Sequence, residues 1–416
     1  MVVDHHDFAF GHMAVVDHDV DRLAGKPIEL DHLVWFELEQ IVQGHFRAAQ
    51  MEMDGHSDVL QLLQIERSPC RFPVLDFQRI LHCDSCFGRA FSYYNPLAMT
   101  NAAPGIPGSL SIKHMPGLRG VPREDLRAIL DSAQFFRAGL DRRDSFPKSL
   151  AGVSVVNLFF ENSTRTRLSF ETAQKKLGAS PMNFTASSSS AAKGESLRDT
   201  VRNIEAMGAD VFVVRHSSAG VPKFLADHTS AVVINAGDGA CEHPTQGLLD
   251  ALTMRQHLGE LEGREVAIIG DIRHSRVARS NIWALSTLGA RVRLWGPATL
   301  LPRSPNAFGS SVTVAQSLDA ALDGADAVVL LRIQHERQSS GMLPSLREYR
   351  QSFGIDQTRL KLARPEALVL HPGPINRGVE VVSEVADGHQ SVILEQVTNG
   401  VAVRMACLHL LAGRAA

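Results

Sequence analysis

Cysteine is scarce. Five in 416 residues is an odd number that builds no disulfide framework, and it points to a reducing compartment, the cytoplasm. Aromatic residues make up only 6% of the chain, which argues against a surface built to stack on nucleic-acid bases. Neither sign of charge is in excess: 42 Lys and Arg face 45 Asp and Glu, a formal net charge of −3, so no global basic field draws in a nucleic acid or a membrane. No apolar run approaches the ~18 residues of a membrane span. The opening Met1-Val2-Val3-Asp4-His5-His6-Asp7 lacks the basic start of a secretory signal and is too acidic for a transit peptide. What remains is 44% hydrophobic and 21% charged, an ordinary soluble composition with length for two to three domains.

The averages hide two unlike segments. Residues 1–100 carry 15 acidic residues against 7 basic, a net of −8, and 8 of the 18 histidines; the remainder carries 30 against 35, a net of +5. A Pro/Gly/Asn-rich stretch over 95–108 separates them. Residues 1–108 are therefore set apart as an acidic, His-rich extension, a poorly ordered tail, or sequence upstream of the true start, with Met99 as an alternative initiator. Its one short motif, Cys83-x-x-Cys86 after His82, lacks a second ligand pair at finger spacing, and His45 and His56 do not supply one, so no metal is expected.

From residue 109 the pattern is orderly. An amphipathic helix opens at Pro122 and runs to about Ala138. Apolar runs of strand length at 153–160, 210–215, 231–235, 266–269, 292–295, 327–330 and 368–370 alternate with helical stretches, among them 167–177 and 244–258. This βαβ alternation predicts two doubly wound α/β domains with parallel sheets.

The chemistry gathers where strands end and helices begin. Ser163-Thr164-Arg165-Thr166-Arg167 follows the first strand directly: hydroxyls, guanidiniums and a helix N-terminus together suit a phosphate, and capping alone needs only one hydroxyl. His243-Pro244-Thr245-Gln246 places His and Gln on one helix face, where they could bond a carbonyl and an amide; a capping His with a solvated Gln fits as well. The serine-rich stretch 187–196 reads first as a surface loop, whose Lys193 could reach an anionic site. Arg215 ends an apolar strand, where parallel sheets place ligands or merely solvate a charge. Residues 270–276 occupy the place of a dinucleotide fingerprint without its glycines, and their basic side chains suit a carboxylate instead. His371-Pro372-Gly373-Pro374 can present backbone carbonyls rigidly. Cys241 and Cys407 read as small core residues, and a Cys241–His243 dyad is disfavoured because near neighbours point apart.

In order and spacing these motifs closely resemble the aspartate/ornithine carbamoyltransferase family over residues 109–416. Lys193-Gly194-Glu195, Arg276 and Arg332 with Gln334 are similar to the aspartate branch; the Cys typical of the ornithine branch is missing from 371–374, and Gly373 stands where the family commonly has Leu or Ala. The resemblance implies transfer of the carbamoyl group from carbamoyl phosphate to L-aspartate in de novo pyrimidine synthesis, without metal or cofactor. The alternatives are ornithine or another amino-acid acceptor, or a non-catalytic scaffold. It implies a carbamoyl-phosphate domain of residues 109–250 plus the C-terminal helix 393–416, and an aspartate domain of 251–392.

By the same resemblance, Ser163, Thr164, Arg165 and Thr166 hold the phosphate, and Arg215 bridges phosphate and carbonyl. His243 bonds the carbonyl oxygen and Gln246 the carbamoyl amine, while Arg276, Arg332, Gln334 and Lys193 hold aspartate. Gly373 and Pro374 belong to the carbamoyl-phosphate site and orient the amino group through their carbonyls. Arg165, Lys193, Arg215 and His243 are the implied catalytic set. A homotrimer is implied, with Ser189 and Lys193 entering from the neighbouring subunit, within a larger assembly if regulatory or dihydroorotase-like chains exist. A looser 371–374 loop is expected from Gly373.

Overall fold

A computed structural model describes residues 110–185, 195–334 and 345–413. The acidic extension with Cys83 and Cys86, the alternative start at Met99, Ser189 and Lys193 lie outside the described residues. The first part of the chain runs α1 (Arg123–Arg142), β1 (Ser154–Phe159), α2 (Thr164–Lys176), β2 (Ser180–Thr185), α3 (Leu197–Ala206), β3 (Val211–His216), α4 (Val221–Ala226) and β4 (Val232–Asp238). Helix α5 (Pro244–Leu258) crosses to β5 (Glu265–Ile269), α6 (Arg276–Thr287), β6 (Arg291–Trp295), β7 (Val312–Val314), α7 (Leu318–Leu322) and β8 (Ala327–Leu330). Then come α8 (Leu346–Phe353), α9 (Gln357–Leu360), β9 (Leu368–Leu370), α10 (Ser383–Ala386) and α11 (Ile393–Ala412).

Two parallel sheets result, ordered β2-β1-β3-β4 and β7-β6-β5-β8-β9. Central strands are covered on both faces, which is why β3 and β8 are almost unbroken apolar runs. Asn157, the polar exception in β1, is satisfied by the side chains of Gln174 and Asn183. One apolar cluster passes from the first sheet through Leu248 and Leu252 of α5 and Ile282 and Leu285 of α6 to Val266 and Ile268 of β5. The two sheets thus share a core within one unit, Met99–Ala416. Helix α11 packs on α1, α2 and α5 and so returns the C-terminus to the helices of the first sheet.

Four elements differ from expectation. Strands β2 and β7 are additional; both lie at sheet edges, where Pro181 is tolerated because an edge need not use every N–H. Helix α2 begins at Thr164 rather than Arg167, so the hydroxyl-arginine motif forms its first turn. Helix α1 continues past Ala138 to Arg142, because Gly139 is a packing site rather than a stop: a Cβ there would lie 2.7 Å from the Phe146 ring. Among the described residues no helix is long and apolar enough to cross a membrane.

Candidate active site

Both sheets point the C-terminal ends of their strands at one cleft of about 550 Å³. From the first sheet come residues 161–166 after β1, Arg215 in β3, and His243 and Gln246 at the start of α5; from the second come Ser275 and Arg276, Arg332 and Gln334, and the 371–374 turn. The structure therefore brings together every expected site residue that it describes.

Ser163 sits at the N-cap of α2 with extended backbone, yet its hydroxyl makes no capping bond and the first turn has no acid. The first-turn N–H groups and the helix dipole therefore lack the side-chain cap and acid that usually meet them, an arrangement suited to an anion, with Thr164, Arg165 and Thr166 lining the cleft beside it. Arg167 does not join them; it lies 3.7 Å from Glu171, one turn on along the same helix.

The electrostatic centre is a residue outside the expected set. Glu161, just beyond β1, accepts from Arg215 Nη2 at 3.3 Å and from Arg276 Nη1 and Nη2 at 2.9 and 3.2 Å. It thereby ties a guanidinium of the first sheet to one at the start of α6 in the second. Arg215 and Arg276 are 7% and 6% exposed. Gly237 makes room for both: its φ is +122°, and a Cβ there would stand 3.1 Å from Arg276 Cζ and 3.2 Å from Arg215 Nη1. The signal for Glu161 in the sequence was an acid at a strand end directly before an arginine motif.

His243 occupies the N-cap of α5, its backbone N–H held by the Ser280 hydroxyl at 2.9 Å. Ser280 also donates to Glu242, whose carboxyl burial pushes above the usual range. Gln246 donates from Nε2 to Asp250 Oδ1 at 2.9 Å. Across the cleft, Asp271 accepts from the Gln334 backbone N–H at 3.4 Å and pairs with His274 at 2.9 Å.

The 371–374 turn is held firmly, which corrects the expected looseness. His371 Nδ1 accepts from the Gly373 N–H, so Nε2 carries the proton toward Glu380 at 3.2 Å, and Glu380 also accepts from the Asn376 N–H. Gly373 has φ +65°, a conformation that side chains with a Cβ rarely adopt, and the Gly373–Pro374 peptide is cis. A Cβ at Gly373 would lie 3.8 Å from Arg165 Nη2, which places the turn beside the phosphate-type motif.

Arg404 in α11 also lines the cleft, outside the expected set. It is 4% exposed, seated over the Phe170 ring, with Nη1 donating to the Gly400 carbonyl at 2.7 Å. Its sequence signal is an arginine inside the otherwise apolar stretch 400–408 of that helix. Cys241 is half-buried rather than a core residue. Burial, with Asp238 and Glu242 nearby, pushes its thiol up to about 11, which leaves little thiolate near neutrality. Cys407 is buried and pushed up to about 12. Among the described residues no cluster of His, Cys, Asp or Glu has the makings of a metal site.

Fold and site together define a two-sheet α/β protein with an arginine-lined cleft for anions between its sheets. Two family models match: the carbamoyl-phosphate-binding domain of aspartate/ornithine carbamoyltransferase over residues 113–256, and its Asp/Orn-binding domain over 262–411. The chain belongs to the aspartate/ornithine carbamoyltransferase family. It is 55% identical over 306 residues to an aspartate carbamoyltransferase catalytic subunit of Halothermothrix orenii, covering 74% of this chain and 97% of that one. Aspartate transcarbamoylase of Trypanosoma cruzi, solved with carbamoyl phosphate and aspartate, superposes with a TM-score of 0.67 at 29% identity over 74% of this chain and 99% of that one. Ornithine carbamoyltransferase of Pyrococcus furiosus gives 0.66 at 26% identity, over 73% and 98%.

Proposed function

We propose that the chain transfers the carbamoyl group of carbamoyl phosphate to the amino group of L-aspartate, giving N-carbamoyl-L-aspartate and phosphate in de novo pyrimidine synthesis. One observation carries this reading: an uncapped helix start with Ser163–Thr166 shares a cleft with Arg215, Arg276 and Arg332, room and charge for two anions side by side. Two arginines at the second subsite favour a dicarboxylate over cationic ornithine on charge alone.

Ser163, Thr164, Arg165 and Thr166 take the phosphate, and Arg215 spans phosphate and carbonyl. His243 donates to the carbonyl oxygen as it becomes negative, and Gln246 accepts from the carbamoyl NH2. Arg276, Arg332 and Gln334 grip the two carboxylates of aspartate. The carbonyls of Gly373 and Pro374 aim its amine at the carbonyl carbon, a tetrahedral oxyanion forms, and phosphate leaves. Holding both reactants in line supplies roughly 7–11 kcal/mol, and the fixed cations stabilise charge at the oxyanion and leaving group. Residues 109–250 with 393–416 form the carbamoyl-phosphate domain and 251–392 the aspartate domain. The active unit is a cytoplasmic homotrimer in which Ser189 and Lys193 complete a neighbour's site.

The test pairs a product assay offering both acceptors with binding of a mimic that joins a phosphonate to aspartate. Carbamoylaspartate as product, and a mimic bound far more tightly than phosphate or aspartate alone, are expected. Citrulline without carbamoylaspartate overturns the choice of acceptor, and full activity of a sedimentation-defined monomer overturns the trimer.

A further inference from the structure

Asp250 is fully buried beneath the cleft and is not among the residues that line it. Its Oδ1 accepts from Gln246 Nε2 at 2.9 Å and from Gln396 Nε2 at 2.6 Å; its Oδ2 accepts from Asn281 Nδ2 at 2.8 Å. All three donors are neutral amides on three different helices, α5, α11 and α6. An amide has one donating and one accepting end, so a carboxylate, which only accepts, dictates which end of each amide it receives.

That choice has consequences at the cleft. With Nε2 held by Asp250, Gln246 keeps Oε1, an acceptor, on the opposite side of its amide for a ligand. Gln396 spends Nε2 likewise, and its Oε1 accepts from the His371 backbone N–H at 2.9 Å, anchoring the first residue of the 371–374 turn. We propose that Asp250 is the positioning residue that fixes the amide polarity of Gln246, so that the site selects a donor bearing NH2 at the carbonyl, and that through Gln396 it sets the turn facing that group. This inference rests on the carbamoyl-phosphate reading above. A Gln246 amide turned the other way would present NH2 to NH2 and lose the discrimination.

Acetyl phosphate is the probe, since it replaces only the NH2 of carbamoyl phosphate by CH3. The binding ratio of the two ligands, with inorganic phosphate as control, is measured on the full chain and on two variants. Asp250→Leu removes the acceptor. It is expected to cut the carbamoyl-over-acetyl ratio at least about tenfold while phosphate and acetyl phosphate bind within about twofold of wild type. Asp250→Asn keeps an acceptor at Oδ1, and its NH2 can donate to Asn281 Oδ1, which has no partner among the described residues, once the Asn281 amide turns over. It is expected to hold the ratio within about threefold. An unchanged ratio in folded Asp250→Leu overturns the role, as does equal weakening of all three ligands, which marks a structural part only. Should Asp250→Leu not fold, loss of the ratio in Asp250→Asn overturns it independently. A wild-type chain that binds both donors alike overturns the carbamoyl-phosphate reading and this role with it, whereas an intact wild-type ratio confines any failure to Asp250.

Discussion

Replacing Glu161 by Gln probes the link between the two sheets most directly. The carboxylate is shared by two guanidiniums whose side chains are 9% and 7% exposed, and it is itself 28% exposed. Breaking a fully buried pair from one side costs about 3–5 kcal/mol; water reaches this one through Glu161, so a loss of about 2 kcal/mol is the better figure. At about 2–4 °C per kcal/mol, the ligand-free melting midpoint should fall by roughly 4–8 °C. Bound phosphate and carboxylate anions re-pair the stranded arginines, so the bisubstrate mimic should raise the midpoint of the variant by more than it raises wild type. Activity should suffer separately, because Arg276 loses the fork that aims it across the cleft: an increase in the aspartate KM of about tenfold or more is expected from misplacement of this kind. Glu161→Asp, one methylene shorter, should reach one arginine and not both, and so fall in between. Differential scanning calorimetry with and without the mimic, together with steady-state kinetics, reads all of this. A Gln variant melting within about 1 °C of wild type without ligand, with an unchanged aspartate KM, refutes the account of Glu161 as the tie between the sheets.

Gly237→Ala puts a Cβ against both Arg215 and Arg276 at a φ of +122°; binding of phosphate and of aspartate should weaken together, by about tenfold or more, in equilibrium titrations. Burial lifts the Asp250 carboxyl to about 6 from an ordinary 3.8, with the three amide bonds opposing the rise. The folded state therefore holds this proton while the unfolded chain has released it, and the stability contributed by Asp250 is lost as pH rises between about 4 and 6. Asp250→Asn should accordingly gain on wild type across that window, by on the order of 2–3 kcal/mol, and hold a constant advantage above it in denaturant titrations at stepped pH. Lys193→Ala should abolish turnover with little change in stability, and mixing it with His243→Ala under subunit exchange should restore part of the activity; mixtures as inactive as their parents count against shared sites.

How much of this could be read from the residues alone follows from how each feature is encoded. The inner strands were legible because a strand covered on both faces must be apolar at every position, as β3 and β8 are. Edge position alone does not hide a strand, since β4 and β9 are edges buried along their length and equally legible; β2 with its Pro181 and the three residues of β7 lack such an apolar run and leave no trace. The anion motifs were legible because several donors fall within five residues at a strand-to-helix junction. Glu161 and Arg404 were not, since each is one charge whose meaning depends on partners 54 and 115 residues away for Glu161 and on the Phe170 ring for Arg404. Gly373 was misjudged for a related reason. The freedom of a glycine was read as looseness, whereas His371, Glu380 and Gln396 supply the bonds that use its left-handed backbone to fix a turn. A short motif therefore shows where donors gather, while the distant residues that pair with its arginines and bond its amides, Glu161 and Asp250, are visible only once the chain is folded.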